Sequence, residues 1–294
     1  MTYETFTVPV SGGDLVVGVW GDGPPVLGIH GITASHPWWG AIVEALAGKV
    51  RLIAPDLRGR GDSGDLPPPH TMQGHVDDCL AVLDHLGIGE VPVVGMSMGG
   101  WVATLMASKN PDRVKNILLL DGGLNLAVPP GLDVEEFLAA ILASSFERLS
   151  MTFESYEAFF EYWRQHPAIV EGVWNEHTEA SLRYDLKGEP PELRSKVSKQ
   201  AVLAGSRDQV TNPEVAEALG KVKCPIHLIR ASRGLQNEPS PIFPDYTVDE
   251  ALEAAPHLTH EIAEDTNHYE LVLAKPGATL IAKRIIEMVD EDQS

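Results

Sequence analysis

Ser97 stands between glycines in Gly95-Met96-Ser97-Met98-Gly99-Gly100, a G-x-S-x-G arrangement. The apolar run from Val91 to Met96 before it reads as a buried strand. Met98 to Lys109 after it reads as a helix, stopped by Asn110-Pro111. A serine on so tight a strand-to-helix turn must take backbone angles that few residues other than glycine tolerate. Bulky side chains two positions away on either side would collide across the turn, and Gly95 and Gly99 remove them. The hydroxyl then projects above the end of the strand. The helix N-terminus beneath it favours developing negative charge. This is the setting a serine needs in order to attack a carbonyl carbon. The plainer alternative is a glycine-rich turn with an incidental serine, and the flanking strand and helix argue against it.

Acyl transfer also needs two N–H donors aimed at the carbonyl oxygen in its tetrahedral state. The N–H of Met98, directly after Ser97, is one. The loop His30-Gly31-Ile32, which follows a short apolar run, offers the second, and Ile32 is the expected donor. His30 admits a rival reading as the catalytic base, although structural hydrogen bonding is commoner for a histidine that closes a buried strand. Trp38 and Trp39 fit an acyl pocket and a plain aromatic core equally well.

The elements that must position these residues alternate along the chain. Residues 4–20 read as a hairpin around Ser11-Gly12-Gly13-Asp14. Strands follow at Val26–His30, Arg51–Pro55, Val91–Met96 and Ile117–Leu120. Helices fall at Trp38–Gly48, residues 71–86 and Met98–Lys109. In the helix over 71–86, Val76, Cys79, Leu80, Leu83 and Leu86 share one face. Such alternation predicts an α/β fold with a mostly parallel sheet flanked by helices on both faces. After Gly122-Gly123 it breaks: residues 130–200 are helical in character and no strand is expected there. It resumes at Pro225–Arg230 and Glu261–Glu264, with a final helix over roughly 275–289. The expectation is a core of residues 1–123 and 211–294, interrupted by a helical cap over 124–210.

The bulk numbers exclude some roles. The chain has 294 residues and a formal net charge of -20, which argues against nucleic acid and against an anionic membrane surface. The acidity reads most simply as a means to solubility. Cys79 and Cys224 are far apart, form no metal-spaced cluster and read as small buried hydrophobes. No secretory signal and no run of membrane-spanning length is visible, so a cytoplasmic protein is expected. The partner expected is a small ester-like molecule, with no metal and no organic cofactor. A homodimer is left open.

Taken together, His30-Gly31, Asp56-Leu57-Arg58-Gly59-Arg60-Gly61-Asp62-Ser63, Gly95-Met96-Ser97-Met98-Gly99-Gly100 and the late Asn267-His268 resemble the α/β-hydrolase superfamily. The resemblance covers nearly the whole core. It implies an eight-stranded sheet with an antiparallel first hairpin, a cap after the sixth strand and the chain order serine, acid, histidine. That order, with a place after the last strand, selects His268 as the base. His257 and His260 fall before or at the start of that strand. Asp56 to Gly64 is expected to form a structural turn near the site.

The acid departs from the common pattern. Most relatives carry an Asp soon after the seventh strand, and Arg230 to Glu238 contains none. Some relatives place it at the end of the sixth strand, where this chain has Asp121. A turn-capping carboxylate is the bland alternative there. Asp121 is the first candidate and Glu238 the second, with Asp208 and Asp245 behind them.

The expected chemistry is hydrolysis of a carboxylic ester with a small or medium hydrophobic substrate, through an acyl-enzyme on Ser97. Phe159, Phe160, Trp163 and Trp174 are candidates to roof its pocket, although aromatics at helical spacing more often serve packing. An aspartate at position 97 would have suggested a haloalkane dehalogenase or an epoxide hydrolase. C–C bond hydrolysis, amide or lactone cleavage and cofactor-free perhydrolysis use the same residues and stay open. So does a slow or inactive hydrolase that serves as a ligand receptor.

Overall fold

The computed structural model describes residues 2–126, 128 and 131–290. Residues 127, 129 and 130 of the expected cap lie outside that description, as do residue 1 and residues 291–294. The strands are β1 (Tyr3–Val10), β2 (Gly13–Trp20), β3 (Pro25–Ile29), β4 (Arg51–Pro55), β5 (Val91–Met96), β6 (Val114–Leu120), β7 (Leu186–Lys187), β8 (Arg194–Ser195), β9 (Ile226–Ala231) and β10 (Leu258–Ala263). All but β7 and β8 form one sheet in the order β1-β2-β4-β3-β5-β6-β9-β10. Only β2 runs against its neighbours; the other pairings are parallel. This is the α/β-hydrolase fold. From β3 the chain steps outward to β4, then crosses back over β3 to β5. The strand order therefore reverses between β3 and β5, and a crevice opens there at the carboxyl ends of the strands.

The helices are α1 (Gly40–Leu46), α2 (Met72–His85), α3 (Met98–Lys109), α4 (Val134–Arg148), α5 (Tyr156–Arg164), α6 (Glu176–Tyr184), α7 (Lys199–Thr211), α8 (Pro213–Ala216), α9 (Ala218–Lys221), α10 (Asp245–Ala254), α11 (Glu270–Leu273) and α12 (Lys275–Asp290). Successive strand side chains point to opposite faces, so each central strand feeds two cores. Val93, Ile117 and Leu119 pack with residues of α2, α3 and α10. Val94, Leu118 and Leu120 pack with residues of α1 and α12. Helix α3 is buried on nearly every side, which explains a sequence without a polar stripe.

Between β6 and β9 the chain forms α4 to α7 with β7 and β8. Side chains set where these helices begin: Asp133 and Glu136 make a reciprocal cap on α4, while Ser155, Asn175 and Ser198 cap α5, α6 and α7. Helices α8 and α9 return to the core through Val215, Ala218 and Leu219. No strand is expected from the sequence over 130–200. The structure corrects that with β7 and β8, which are too short to leave an alternating pattern. Strand β10 begins at Leu258, so His260 lies within it. The helix expected from Trp38 opens with a 3₁₀ turn, and α1 ends at Leu46. Cys79 is buried, whereas Cys224 is only partly so. Among the described residues no helix is long and apolar enough to cross a membrane.

Candidate active site

The loops at the carboxyl ends of β3, β5, β6 and β10 converge on one crevice. Ser97 follows β5 with φ 50° and ψ −121°, a strained combination for a residue with a side chain. The backbone around it is too close for side chains. A Cβ on Gly95 would strike the Gly99 carbonyl, and one on Gly99 would strike the Ile29 carbonyl. A Cβ on Gly122 would strike the backbone of Ser97 itself. The first contact is the crossing expected from the spacing. The role of Gly122 comes from a different strand and is invisible in the local sequence.

His268 follows β10 and is buried. Its Nδ1 lies 2.7 Å from Asp121 Oδ2. Asp121 is also buried, and its other oxygen accepts the Ala231 N–H at 3.2 Å. An ionised carboxylate accepts only, so the shared proton belongs on Nδ1 and leaves Nε2 as the basic nitrogen. No hydrogen bond joins the Ser97 hydroxyl to the ring among the described residues. Contacts of this kind often close only in the substrate complex.

The other acids lie elsewhere. Glu238 is exposed, borders the same crevice and accepts the Gln236 N–H at 2.7 Å. Asp208 accepts the Met72 N–H and ties α7 to the start of α2. Asp245 pairs with Arg230 at 2.7 Å.

His30 has both ring nitrogens engaged by backbone. Nδ1 donates to the Gly31 carbonyl at 2.7 Å, and Nε2 accepts the Leu57 N–H at 3.0 Å. Burial holds it neutral and lowers its pKa to about 4. It thus serves structure rather than base chemistry. The Gly31 carbonyl also accepts the Ala34 N–H. Because the peptide is planar and trans, fixing that carbonyl aims the Ile32 N–H the opposite way. Arg60 Nε fixes the next carbonyl, that of Ile32, at 2.9 Å. The N–H of Met98 is the first in α3 and has no carbonyl within the helix to bond.

Ser97, Met98, Ile32, Asp121 and His268 line one cavity of about 740 Å³. Trp101, Leu126, Phe137, Ile141 and Phe243 make most of its wall apolar, with Ser206 and Gln209 of α7 among the polar groups. Most of the residues lining the cavity stand on α4 and on the segment 234–243. The candidate roof aromatics do not line it. Phe159, Phe160 and Trp163 are buried, and Trp174 packs beside them. With Trp38 they fasten the insertion to the core. Trp39 is likewise a core residue beneath the sheet.

The 56–64 segment is the expected structural turn. Asp56 is buried and accepts from the N–H and Nδ1 of His36, the Asp62 N–H and the Tyr184 hydroxyl. Burial raises its pKa, but the bonds and charge of His36 win and hold it below the usual range. Arg58 grips Asp78 with two bonds of 2.6 Å.

The comparisons with known proteins agree with this architecture. Residues 24–150 match the family model described as the α/β hydrolase fold. The chain is 39% identical to lipase LipV of Mycobacterium tuberculosis over 133 residues, 45% of this chain and 49% of that one. It is 37% identical to a soluble epoxide hydrolase of Corynebacterium sp. over 101 residues, 34% of this chain and 35% of that one. The chain thus spans about half or less of the length of the curated relatives it matches. Among solved structures, E-2-(acetamidomethylene)succinate hydrolase superposes with a TM-score of 0.80 at 21% identity, covering 98% of this chain and 100% of that one. Strand order and solved structures together show that the chain has the α/β-hydrolase fold, and over residues 24–150 it resembles that superfamily in sequence as well.

Proposed function

We propose that this protein is a serine hydrolase that cleaves a carboxylic ester through an acyl-enzyme on Ser97. The observation that carries the reading is the 2.7 Å bond between His268 and Asp121 beside a cavity that Ser97 also lines. His268 Nε2 takes the hydroxyl proton as Ser97 Oγ attacks the carbonyl carbon. Asp121 holds the ring in the working tautomer and stabilises its cation. The Ile32 and Met98 N–H groups receive the charge that develops on the carbonyl oxygen. Collapse expels the alcohol, which takes the proton from His268. Water then attacks the acyl-enzyme with His268 as base again, and the acid leaves. The helical insertion acts as a cap whose helix α4 roofs the acyl site. Ser97 disfavours epoxide opening, since a hydroxyl stands where that chemistry uses a carboxylate.

The apolar wall supports a substrate with a hydrocarbon group. Each buried methylene contributes about 0.8 kcal/mol, which is roughly a fourfold gain in kcat/KM. A series of p-nitrophenyl esters from acetate to decanoate tests this. The expected result is a rise of about fourfold per methylene until the cavity is full, with no turnover by Ser97→Ala. Turnover that persists in Ser97→Ala would contradict the reading.

A further inference from the structure

Arg148, the last residue of α4, is 7% exposed, yet no carboxylate among the described residues pairs with it. Its guanidinium carbon lies 4.9 Å from the centre of the Trp163 ring. The indole N–H of Trp163 is buried and has no acceptor either. Tyr269 closes the group: its ring stands edge-on to Trp163 at 6.0 Å and nearly perpendicular to the His268 ring at 5.9 Å. His166 packs against both Trp163 and Tyr269. One helical turn before Arg148, Ser144 and Ser145 line the Ser97 cavity.

A cation mostly out of water without a partner is costly, and buried N–H groups are nearly always bonded. An aromatic face recovers only part of that cost. Burial lowers the Arg148 pKa, and the opposing influences come from Tyr269, Asp185 and Tyr162. Asp185 is already committed, accepting from Ser35 Oγ and the Trp38 indole N–H. Burial holds His166 below its ordinary pKa, helped by Arg148, so it adds no positive charge at neutral pH. Glu238 is the acid that acts on His166 from the cavity side.

We propose that Arg148 and the Trp163 indole form a subsite for a carboxylate of the substrate, placed beside His268 through Tyr269. The guanidinium presents paired N–H donors that match the two oxygens of a carboxylate. The substrate would then be an anionic ester, with its apolar part in the Ser97 cavity and its carboxylate at Arg148. This rests on the hydrolase reading for the chemistry but not for the binding.

Two measurements separate the claims. The first compares kcat/KM for mono-p-nitrophenyl glutarate and adipate with that for the pentanoate and hexanoate esters. The wild type should prefer the anionic esters, and Arg148→Met should lower the anionic-to-neutral ratio at least about tenfold. Arg164→Met, an exposed arginine of α5 paired with Glu157, should keep the wild-type ratio. Arg148→Lys, which keeps the charge if Arg148→Met folds poorly, should retain part of the preference. The second is the thermal shift produced by glutarate against sodium chloride of equal ionic strength. It should appear in the wild type and in Ser97→Ala, and vanish in Arg148→Met. A shift without ester turnover would uphold the subsite and overturn the hydrolase reading. Equal ratios and equal shifts in wild type and Arg148→Met would overturn the subsite.

Discussion

Asp121 satisfies several constraints at one position. It follows β6 directly with φ 45°, and its N–H donates to the Ile229 carbonyl, so the residue is fixed against β9. One carboxylate oxygen then meets the Ala231 N–H and the other meets His268. The same bonds that cap the strand end therefore aim the carboxylate at His268, so a turn-capping role and the proposed catalytic one are compatible. An amide at this position can no longer accept from Nδ1–H with its NH₂ face, and the imidazole takes the wrong tautomer. Asp121→Asn should lower kcat by about 10³–10⁴-fold with a melting temperature near the wild type, while Glu238→Gln stays within a few-fold. Steady-state kinetics of the two variants measure this. The reverse order would move the acid to Glu238.

At the scale of elements, the legible parts were those with a period or a strict local rule. Strand β5, the elbow and α3 follow from Val91–Lys109 because a buried strand, a glycine-flanked serine and an apolar helix each leave a pattern. The aromatics of the insertion left roof and packing both open for a physical reason. Phe159 and Trp163 are apolar at helical spacing, and that spacing looks the same whether a face covers a ligand or a core. Here it covers Trp38 and the core. The cavity wall on residues 234–243 lacks periodicity, so Phe243 and its neighbours gave no signal. Arg60 is a further case. Buried outright, it bonds the carbonyls of Ile32, Arg58 and Ala201, and so joins the loop after β3 to α7 of the insertion. No spacing rule connects positions 32, 60 and 201. The pairing of His268 with Asp121, 147 residues apart, was reachable through the family resemblance and the sheet order it implies, not through any local spacing.

Across the whole molecule, buried histidines set how stability answers to acid. Burial lowers His30 to about 4 and His75 well below its ordinary value. Unfolded, each titrates near 6.5, so below that pH the unfolded state binds more protons and stability falls as pH falls. His30 alone loses about 2 kcal/mol between pH 7 and pH 5, and His75 adds in the same direction. Asp185 opposes them: burial raises it to about 6, so acidification relieves its ionised form and returns about 1 kcal/mol. The histidines outweigh it, and the urea midpoint should drop between pH 7 and pH 5. A midpoint that holds steady or rises would show that these histidines gain protons without unfolding.

The proposed function requires Ser97 to be a nucleophile activated by His268. Labelling with a fluorophosphonate, read by intact mass and peptide mapping, tests it without knowledge of the substrate. One adduct is expected, on Ser97, in the wild type and none in a folded His268→Ala variant. No adduct on folded wild-type protein, or equal labelling in both, would contradict it and turn attention to a ligand-binding role for the same cavity.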